Sequence, residues 1–170
     1  RMPGDARSAS ARRSWFAGKI SNWRELGGPE GEIVVFARAP GSGTASLFGE
    51  KILGTVPYAP SARMLATNEA IVAEVAAKPG AIGYTGLGAL RTVGERVKVV
   101  ALRAGPDATP VAPTLETVRA GTYSLTRTLL LGTAVKPAGT VKAFLDFCQS
   151  PTGQAFLSRA GYVALAPSAP

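Results

Sequence analysis

The apolar residues of this chain follow two alternating patterns. Continuous apolar runs are typical of strands buried on both faces, and they predict strands at residues 32–37, 81–84 and 97–102. Apolar residues spaced three and four apart predict helices at residues 45–53 and 68–78. Strands that alternate with helices predict an α/β fold, in which a mostly parallel or mixed sheet is flanked by helices.

A Gly- and Pro-containing stretch at residues 103–114 has few large apolar residues, and we interpret it as a crossing between two lobes. Beyond it the pattern predicts helices at residues 115–120, 139–149 and 151–160, and strands at residues 124–132 and 162–165. The predicted organisation has four parts: a loose basic segment at 1–13, an α/β lobe at 14–102, part of another lobe at 103–165 and a tail at 166–170.

The helix signals include residues that begin and end each element. Asn68 is the predicted N-cap of the helix at residues 68–78, and Pro79 with Gly80 ends it. Ser150 is predicted to cap the last helix, with Pro151 at its first position. Because 46% of the 170 residues are hydrophobic and mean hydropathy is +0.15, the chain has enough apolar surface to build a core.

The net charge of +8 raises the question of a nucleic acid or membrane partner. Residues 1–24 hold six basic residues and one acidic residue, a balance of +5, which leaves +3 of the +8 for the rest of the chain. No basic run is interleaved with aromatic residues, and no zinc-finger or recognition-helix pattern is present. We therefore expect no nucleic-acid partner.

The chain contains a single cysteine and no histidine, which excludes intramolecular disulfides and zinc sites built from Cys and His. Cys148 shares a helical face with Val141, Phe144 and Leu145, so we interpret it as a small core residue. Ser42 lacks the histidine base that most serine nucleophiles use. We expect no enzymatic activity, no metal and no cofactor.

Arg38, Gly41, Ser42, Gly43 and Thr44 form the most informative segment. They lie between a predicted strand and a predicted helix. Glycines let successive N–H groups converge, and a helix start leaves those donors unpaired. The hydroxyl groups and the guanidinium add further donors that suit an oxoanion. An ordinary serine-capped helix after a strand remains the alternative for this segment alone.

Several motifs together resemble the periplasmic phosphate-binding proteins of ABC importers. In order along the chain they are WFAGKISNWRELGG at residues 15–28, Arg38 with GSGT at 41–44, PGAIGY at 79–84, GTYSLTR at 121–127, FLDF at 144–147 with Ser150 and Gly153-Gln154, and GYV at 161–163. The resemblance runs from about residue 14 to the end, roughly nine tenths of the chain. It is much more specific than the GSGT loop by itself.

The resemblance implies a type II periplasmic-binding-protein fold with one complete lobe and part of the second. Phosphate or a related oxoanion would bind non-catalytically to Arg38, Gly41, Ser42, Gly43 and Thr44, and the lobes would close by a hinge motion. Tyr84 and Arg127 are family landmarks that we interpret as structural. The membrane subunits of an ABC transporter are implied partners. The implied location is periplasmic or otherwise extracytoplasmic, and we expect no signal sequence within these 170 residues.

The chain departs from the family pattern in two places. Ala39-Pro40 replaces the usual acidic or polar pair, so any carboxylate that steadies Arg38 must come from elsewhere. The family's N-terminal segment, with part of the expected ligand shell, has no counterpart here. The alternative function is therefore an interaction or sensory module, whose partial lobe is completed by a partner chain or by a second copy in a homodimer.

Overall fold

The structure, a computed structural model, describes residues 9–92, 94–105 and 107–165. The chain forms two compact units, Arg1–Leu125 and Thr126–Pro170. The boundary that we predicted between residues 102 and 103 falls inside the first unit. The assignment of residues to the lobes of a binding protein therefore stays a prediction.

The first unit is built on three parallel strands, β1 (Val34–Arg38), β2 (Arg63–Leu65) and β3 (Ala81–Gly83), in the order β2-β1-β3. The central strand β1 is the apolar one, because its middle residues are covered on both faces. The predicted strands at residues 32–37 and 81–84 are confirmed. The edge strand β2 was not predicted, since its first two residues are exposed and show no apolar run.

The helices of the first unit are α1 (Ala9–Phe16), α2 (Gly43–Phe48), α3 (Asn68–Ala77) and α4 (Leu115–Arg119). α2 continues directly into a π-helical turn, Gly49–Leu53, and short 3-10 helices lie at Trp23–Leu26, Leu87–Thr92 and Gly94–Arg96. The helices predicted at residues 45–53, 68–78 and 115–120 are confirmed, although the first of them changes from α to π geometry midway.

α1 overturns the prediction of a loose segment for residues 9–13, the described part of the predicted segment 1–13. Residues 9–13 are helical, and Arg12 is buried. The helix is ordered because its last residues, Trp15 and Phe16, are fully buried in the core of the first unit. Residues 1–8 and the predicted tail at residues 166–170 lie outside the described residues.

The core of the first unit lies beside β1. Its buried residues are Trp15, Phe16, Ile33, Val35, Phe48, Ile52 and Leu53. The rings of Phe16 and Phe48 meet edge to face, with centroids 4.6 Å apart. This packing joins α1 to the end of α2, the helix that follows the loop at residues 39–42.

The second unit contains two consecutive helices, α5 (Gly139–Gln149) and α6 (Pro151–Arg159), which pack against each other. Both were predicted and are confirmed. The hydroxyl oxygen of Ser150 accepts a 3.2 Å hydrogen bond from the Gly153 N–H, and Pro151 occupies the first helical turn. The side chain of Gln154 donates to the Cys148 carbonyl at 2.7 Å and accepts from the Leu165 N–H at 2.8 Å.

Three predicted strands are wrong. Residues 97–102 form no strand, and only Leu102 makes an isolated antiparallel bridge, to Val111. Residues 124–132 and 162–165 have no strand partner in the described part of the chain, and Leu130 is 87% exposed. An apolar run becomes a strand only when a neighbouring strand pairs with it. Sequence periodicity does not reveal whether such a neighbour exists.

The interpretation of Cys148 as a core residue is also wrong. Its thiol is only half-buried, and Val141 and Phe144 on the same face of α5 are exposed. The helical spacing that the sequence predicted for these residues is confirmed, since all of them lie in α5. Within the second unit, however, the packing of α6 on this helix leaves Val141 and Phe144 exposed.

Candidate functional site

Arg38 is the last residue of the central strand β1. Loop residues 39–42 follow, and α2 begins at Gly43. The arginine and the glycine-containing loop therefore lie at the carboxyl end of a buried parallel strand. This end of a parallel sheet is the common location of ligand sites in α/β proteins.

Two hydrogen bonds hold the Arg38 guanidinium. One terminal nitrogen donates to the Asn68 side-chain oxygen, and the other donates to the Ala66 carbonyl at 2.8 Å. The Nε atom is buried and has no hydrogen-bond partner among the described residues. Both acceptors are neutral. Arg38 makes no ion pair with any described carboxylate, so no carboxylate in this part of the chain steadies it.

Asn68 is the residue whose role we misassigned. The N-cap of α3 is Thr67, whose hydroxyl oxygen accepts a 3.1 Å hydrogen bond from Ala70 N–H. The side-chain oxygen of Asn68 is therefore available to accept from the Arg38 guanidinium, and it also accepts from the Gly86 N–H at 3.3 Å. The sequence did contain a signal for this role, because Thr67 and Asn68 are consecutive and both are of a type that caps helices. Only one of the two can cap α3, so the other is left for a different contact.

Tyr84 also contacts Arg38, through the main chain. Its hydroxyl oxygen accepts a 3.1 Å hydrogen bond from the Arg38 N–H. A second hydrogen bond, 2.7 Å long, joins this hydroxyl to that of Tyr58. Burial is the main cause that raises the pKa of Tyr58, and the hydrogen bond to Tyr84 adds to it. The end of β1 is thus fixed on its main chain by Tyr84 and on its side chain by Asn68.

The loop has the conformation that its sequence predicts. Gly41 has φ of +84°, which only glycine adopts without strain. Ser42 is the N-cap of α2, and its hydroxyl oxygen lies 3.4 Å from the donating Ala45 N–H. The N–H groups of Gly43 and Thr44 and the Thr44 hydroxyl have no acceptor among the described residues. They are the unpaired donors expected at a helix start.

Other chemistry is not evident in the described part of the chain. Among the described residues, no cluster of three or more His, Cys, Asp or Glu residues has a geometry that suits a metal ion. The helices described here are too short or too polar to cross a bilayer. Arg38 and the loop that follows it are therefore the strongest candidate site.

Comparison with known proteins places this chain in a family. A family model described as a PBP superfamily domain matches residues 9–152. The chain belongs to the PBP superfamily. The match covers α1, all three strands of the sheet, the loop after Arg38 and α5, so it includes the whole candidate site.

Among curated proteins, this PBP-superfamily chain is similar to two that are named phosphate-binding protein PstS. It is 26% identical over 157 residues to the one from Borreliella burgdorferi, and the match covers 87% of this chain and 54% of that protein. It is 31% identical over 149 residues to the one from Bacillus subtilis, and this match covers 87% of the chain and 47% of the relative. The chain therefore spans about half the length of these relatives.

Solved structures show the same fold. A candidate phosphate ABC transporter substrate-binding protein from Clostridium perfringens, solved with bound phosphate, superposes with a TM-score of 0.76 at 27% identity. PstS from Borrelia burgdorferi superposes with a TM-score of 0.71 at 23% identity. Each match covers 94% of this chain and 63% of the other chain. The predicted type II periplasmic-binding-protein fold and family resemblance are confirmed.

Proposed function

We propose that this chain binds phosphate or a related oxoanion without catalysis, as a substrate-binding protein of an ABC importer. Arg38, Gly41, Ser42, Gly43 and Thr44 would form the site. The observation that carries the proposal is the position of Arg38, at the end of β1 and directly before a helix start with unpaired N–H groups. Arg38 supplies the full positive charge, and the amides and hydroxyls supply directed hydrogen bonds.

The geometry supports a preorganised site. Because Asn68 and Ala66 hold the Arg38 guanidinium through hydrogen bonds, its side chain loses little further freedom on binding. Gly41 gives the loop its turn, and Ser42 fixes the first turn of α2. An oxoanion would therefore meet donors that already occupy defined positions, as anion binding at a helix start requires.

The names of the relatives support phosphate as the ligand. Two curated relatives are named phosphate-binding proteins, and the Clostridium perfringens structure contains bound phosphate. Because the chain spans only part of these proteins, we propose the transport role, the contact with ABC membrane subunits and the periplasmic or extracytoplasmic location by similarity. A non-catalytic role agrees with the absence of histidine from the sequence.

The similarity to phosphate-binding proteins does not favour the alternative function, an interaction or sensory module, but one observation of the structure bears on it. The second unit exposes large apolar side chains, including Leu130 at 87% and Phe144 at 59%. A partner chain or a second copy would cover such a surface. Light scattering tests this alternative, because a purely monomeric 170-residue chain at high concentration would contradict completion by a second copy.

Calorimetric titration with phosphate tests the proposed site. We expect Arg38→Ala to weaken phosphate binding by about 2 to 4 kcal/mol, because a desolvated anion loses its charged partner. Arg24→Ala is the control, since it removes the same charge from a position whose side chain is 73% exposed. If Arg38→Ala binds phosphate as well as Arg24→Ala does, this loop is not the site.

A further inference from the structure

The loop that follows β3 reaches the candidate site through Asn68. The Gly86 N–H donates a 3.3 Å hydrogen bond to the side-chain oxygen of Asn68, and the Thr85 hydroxyl donates to the Asn68 carbonyl at 3.4 Å. The same Asn68 side-chain oxygen accepts from the Arg38 guanidinium. One oxygen atom therefore joins the arginine at the end of β1 to the loop after β3.

We infer that Asn68 and Gly86 are positioning residues for Arg38. Asn68 aims the guanidinium, and Gly86 leaves the space in which the Asn68 amide lies. This inference rests on the proposed function in one respect, because it takes Arg38 as the residue that meets the anion. Asn68 and Gly86 themselves would contact no anion, and each would change binding only through the arginine.

The first argument concerns how firmly the Asn68 oxygen is placed. A side-chain amide oxygen can accept two hydrogen bonds, and here it accepts one from Arg38 and one from a main-chain N–H. The amide is therefore fixed to the main chain of a loop as well as to a side chain. It is not needed to begin α3, since the Thr67 hydroxyl caps that helix.

The second argument concerns the freedom of the arginine. Its other terminal nitrogen donates to the Ala66 carbonyl at 2.8 Å. A planar guanidinium that is held at one nitrogen can still pivot about that hydrogen bond, whereas acceptors at both terminal nitrogens fix its plane. A side chain that is immobilised in advance does not add its ordering cost to binding. Loss of the Asn68 side chain would give this freedom back to Arg38.

The third argument concerns why residue 86 is a glycine. Its φ lies outside the left-handed region, so its main-chain conformation does not require glycine. A Cβ atom at Gly86 would lie 3.3 Å from the side-chain nitrogen of Asn68 and 3.9 Å from its Cγ. The first distance is shorter than an ordinary van der Waals contact, so a larger residue would displace the amide. The glycine therefore makes room for Asn68.

NMR of isotope-labelled guanidinium groups tests the positioning role without a ligand. The Arg38 Nε atom is buried, and its resonance is the one that Arg38→Lys removes. We expect Asn68→Ala and Gly86→Ala each to shift or broaden this resonance. Asn22→Ala and Gly31→Ala are the matched controls, because Asn22 caps a 3-10 helix elsewhere and a Cβ atom at Gly31 would meet nothing within 4 Å. An unchanged resonance in either test variant overturns the role of that residue.

Calorimetric titration of the 170-residue chain with sodium phosphate tests the effect on binding. We expect Asn68→Ala to bind about three- to tenfold more weakly, the cost of ordering one long side chain. Gly86→Ala should bind about threefold more weakly, because it displaces the amide without removing it. If Asn68→Ala binds as tightly as Asn22→Ala, the inference fails and the proposed function stands. If the unaltered chain binds no phosphate, the proposed function fails, and the resonance of Arg38 still decides the positioning role.

Combination with Arg38→Ala separates positioning from a general structural role. A residue that acts only through the arginine has no further effect on binding once the guanidinium is gone. We expect Asn68→Ala and Gly86→Ala each to leave the weakened phosphate affinity of Arg38→Ala unchanged within about twofold. A further loss as large as in the unaltered chain would mean that these residues support the site in another way, which overturns the inference.

Discussion

The ring of Tyr84 stacks on the ring of Phe48, with their centroids 3.9 Å apart and their planes inclined by 3°. Phe48 is the last residue of α2, the helix that begins at the proposed binding loop. The hydroxyl oxygen of Tyr84 accepts from the main-chain N–H of Arg38. One side chain therefore joins both parts of the site, the arginine at the end of β1 and the helix after the loop.

Tyr84→Phe should keep the stacked ring and remove both hydrogen bonds of the hydroxyl. The half-buried Tyr58 hydroxyl and the Arg38 N–H then lose their partner, so we expect the free energy of unfolding to fall by about 1 to 2 kcal/mol. Urea unfolding followed by circular dichroism measures the change. In the control variant Tyr162→Phe, the altered side chain is 48% exposed, and we expect a change within about 0.5 kcal/mol. Equal effects of the two substitutions would contradict the role of Tyr84.

Gly80→Ala should destabilise the first unit strongly. Gly80 has φ of +76°, and a Cβ atom there would lie 2.6 Å from the Glu32 carbonyl oxygen. Left-handed strain and this clash with main-chain atoms together predict a loss of about 2 to 4 kcal/mol in the free energy of unfolding.

Gly31→Ala is the control for Gly80→Ala. A Cβ atom at Gly31 would meet nothing within 4 Å, so we expect a change within about 0.5 kcal/mol. Chemical denaturation of both variants under the same conditions gives the comparison. Similar stabilities of the two variants would show that the main chain near Glu32 moves to accept the added carbon.

Alkaline pH should destabilise the chain through two partly buried tyrosines, Tyr58 and Tyr123. Burial raises the pKa of Tyr123 to about 12, against the opposing charge of Arg12, and burial also raises the pKa of Tyr58. Unfolded tyrosine has a pKa of about 10. Because the native state keeps a proton that the unfolded state loses, stability is full below about pH 10 and falls as the pH rises to about 12.

The absorbance of tyrosinate measures this titration directly. We expect part of the tyrosine ionisation of the native chain to occur at higher pH than in urea. Tyr123→Phe should remove part of that late ionisation and should reduce the loss of stability above about pH 10. If the native and urea-unfolded chains titrate together, Tyr123 is not protected by burial.

The elements that the sequence predicted correctly are those with strong local signals. β1 is a continuous apolar run, the pattern typical of a strand that is buried on both faces. α3 and α5 have apolar residues at helical spacing, the pattern typical of a helix that is covered on one face. Ser150 and Pro151 fixed the start of α6 through hydrogen bonding and backbone geometry within one turn. Such signals act over a few residues, so they can be read without a tertiary structure.

Arg38 and the Gly41–Thr44 loop could also be found from the sequence, because a glycine-containing loop between a strand and a helix determines its own conformation. The predicted strands at residues 97–102, 124–132 and 162–165 failed because a strand depends on a distant partner to pair with. The hydrogen-bond partners of Arg38 could not be predicted from the sequence for a related reason. Asn68 and Tyr84 lie 30 and 46 residues away along the chain.

The sequence alone therefore determined the α/β alternation, the main helices, the absence of histidine chemistry and the position of the candidate loop. The tertiary structure decided what holds the arginine, since the packing of α3 and β3 against β1 brings Asn68 and Tyr84 to it. Local conformation follows from the covalent chain and its nearest neighbours. Whether a charge is compensated depends on which distant groups the folded chain places beside it, and here those groups are neutral.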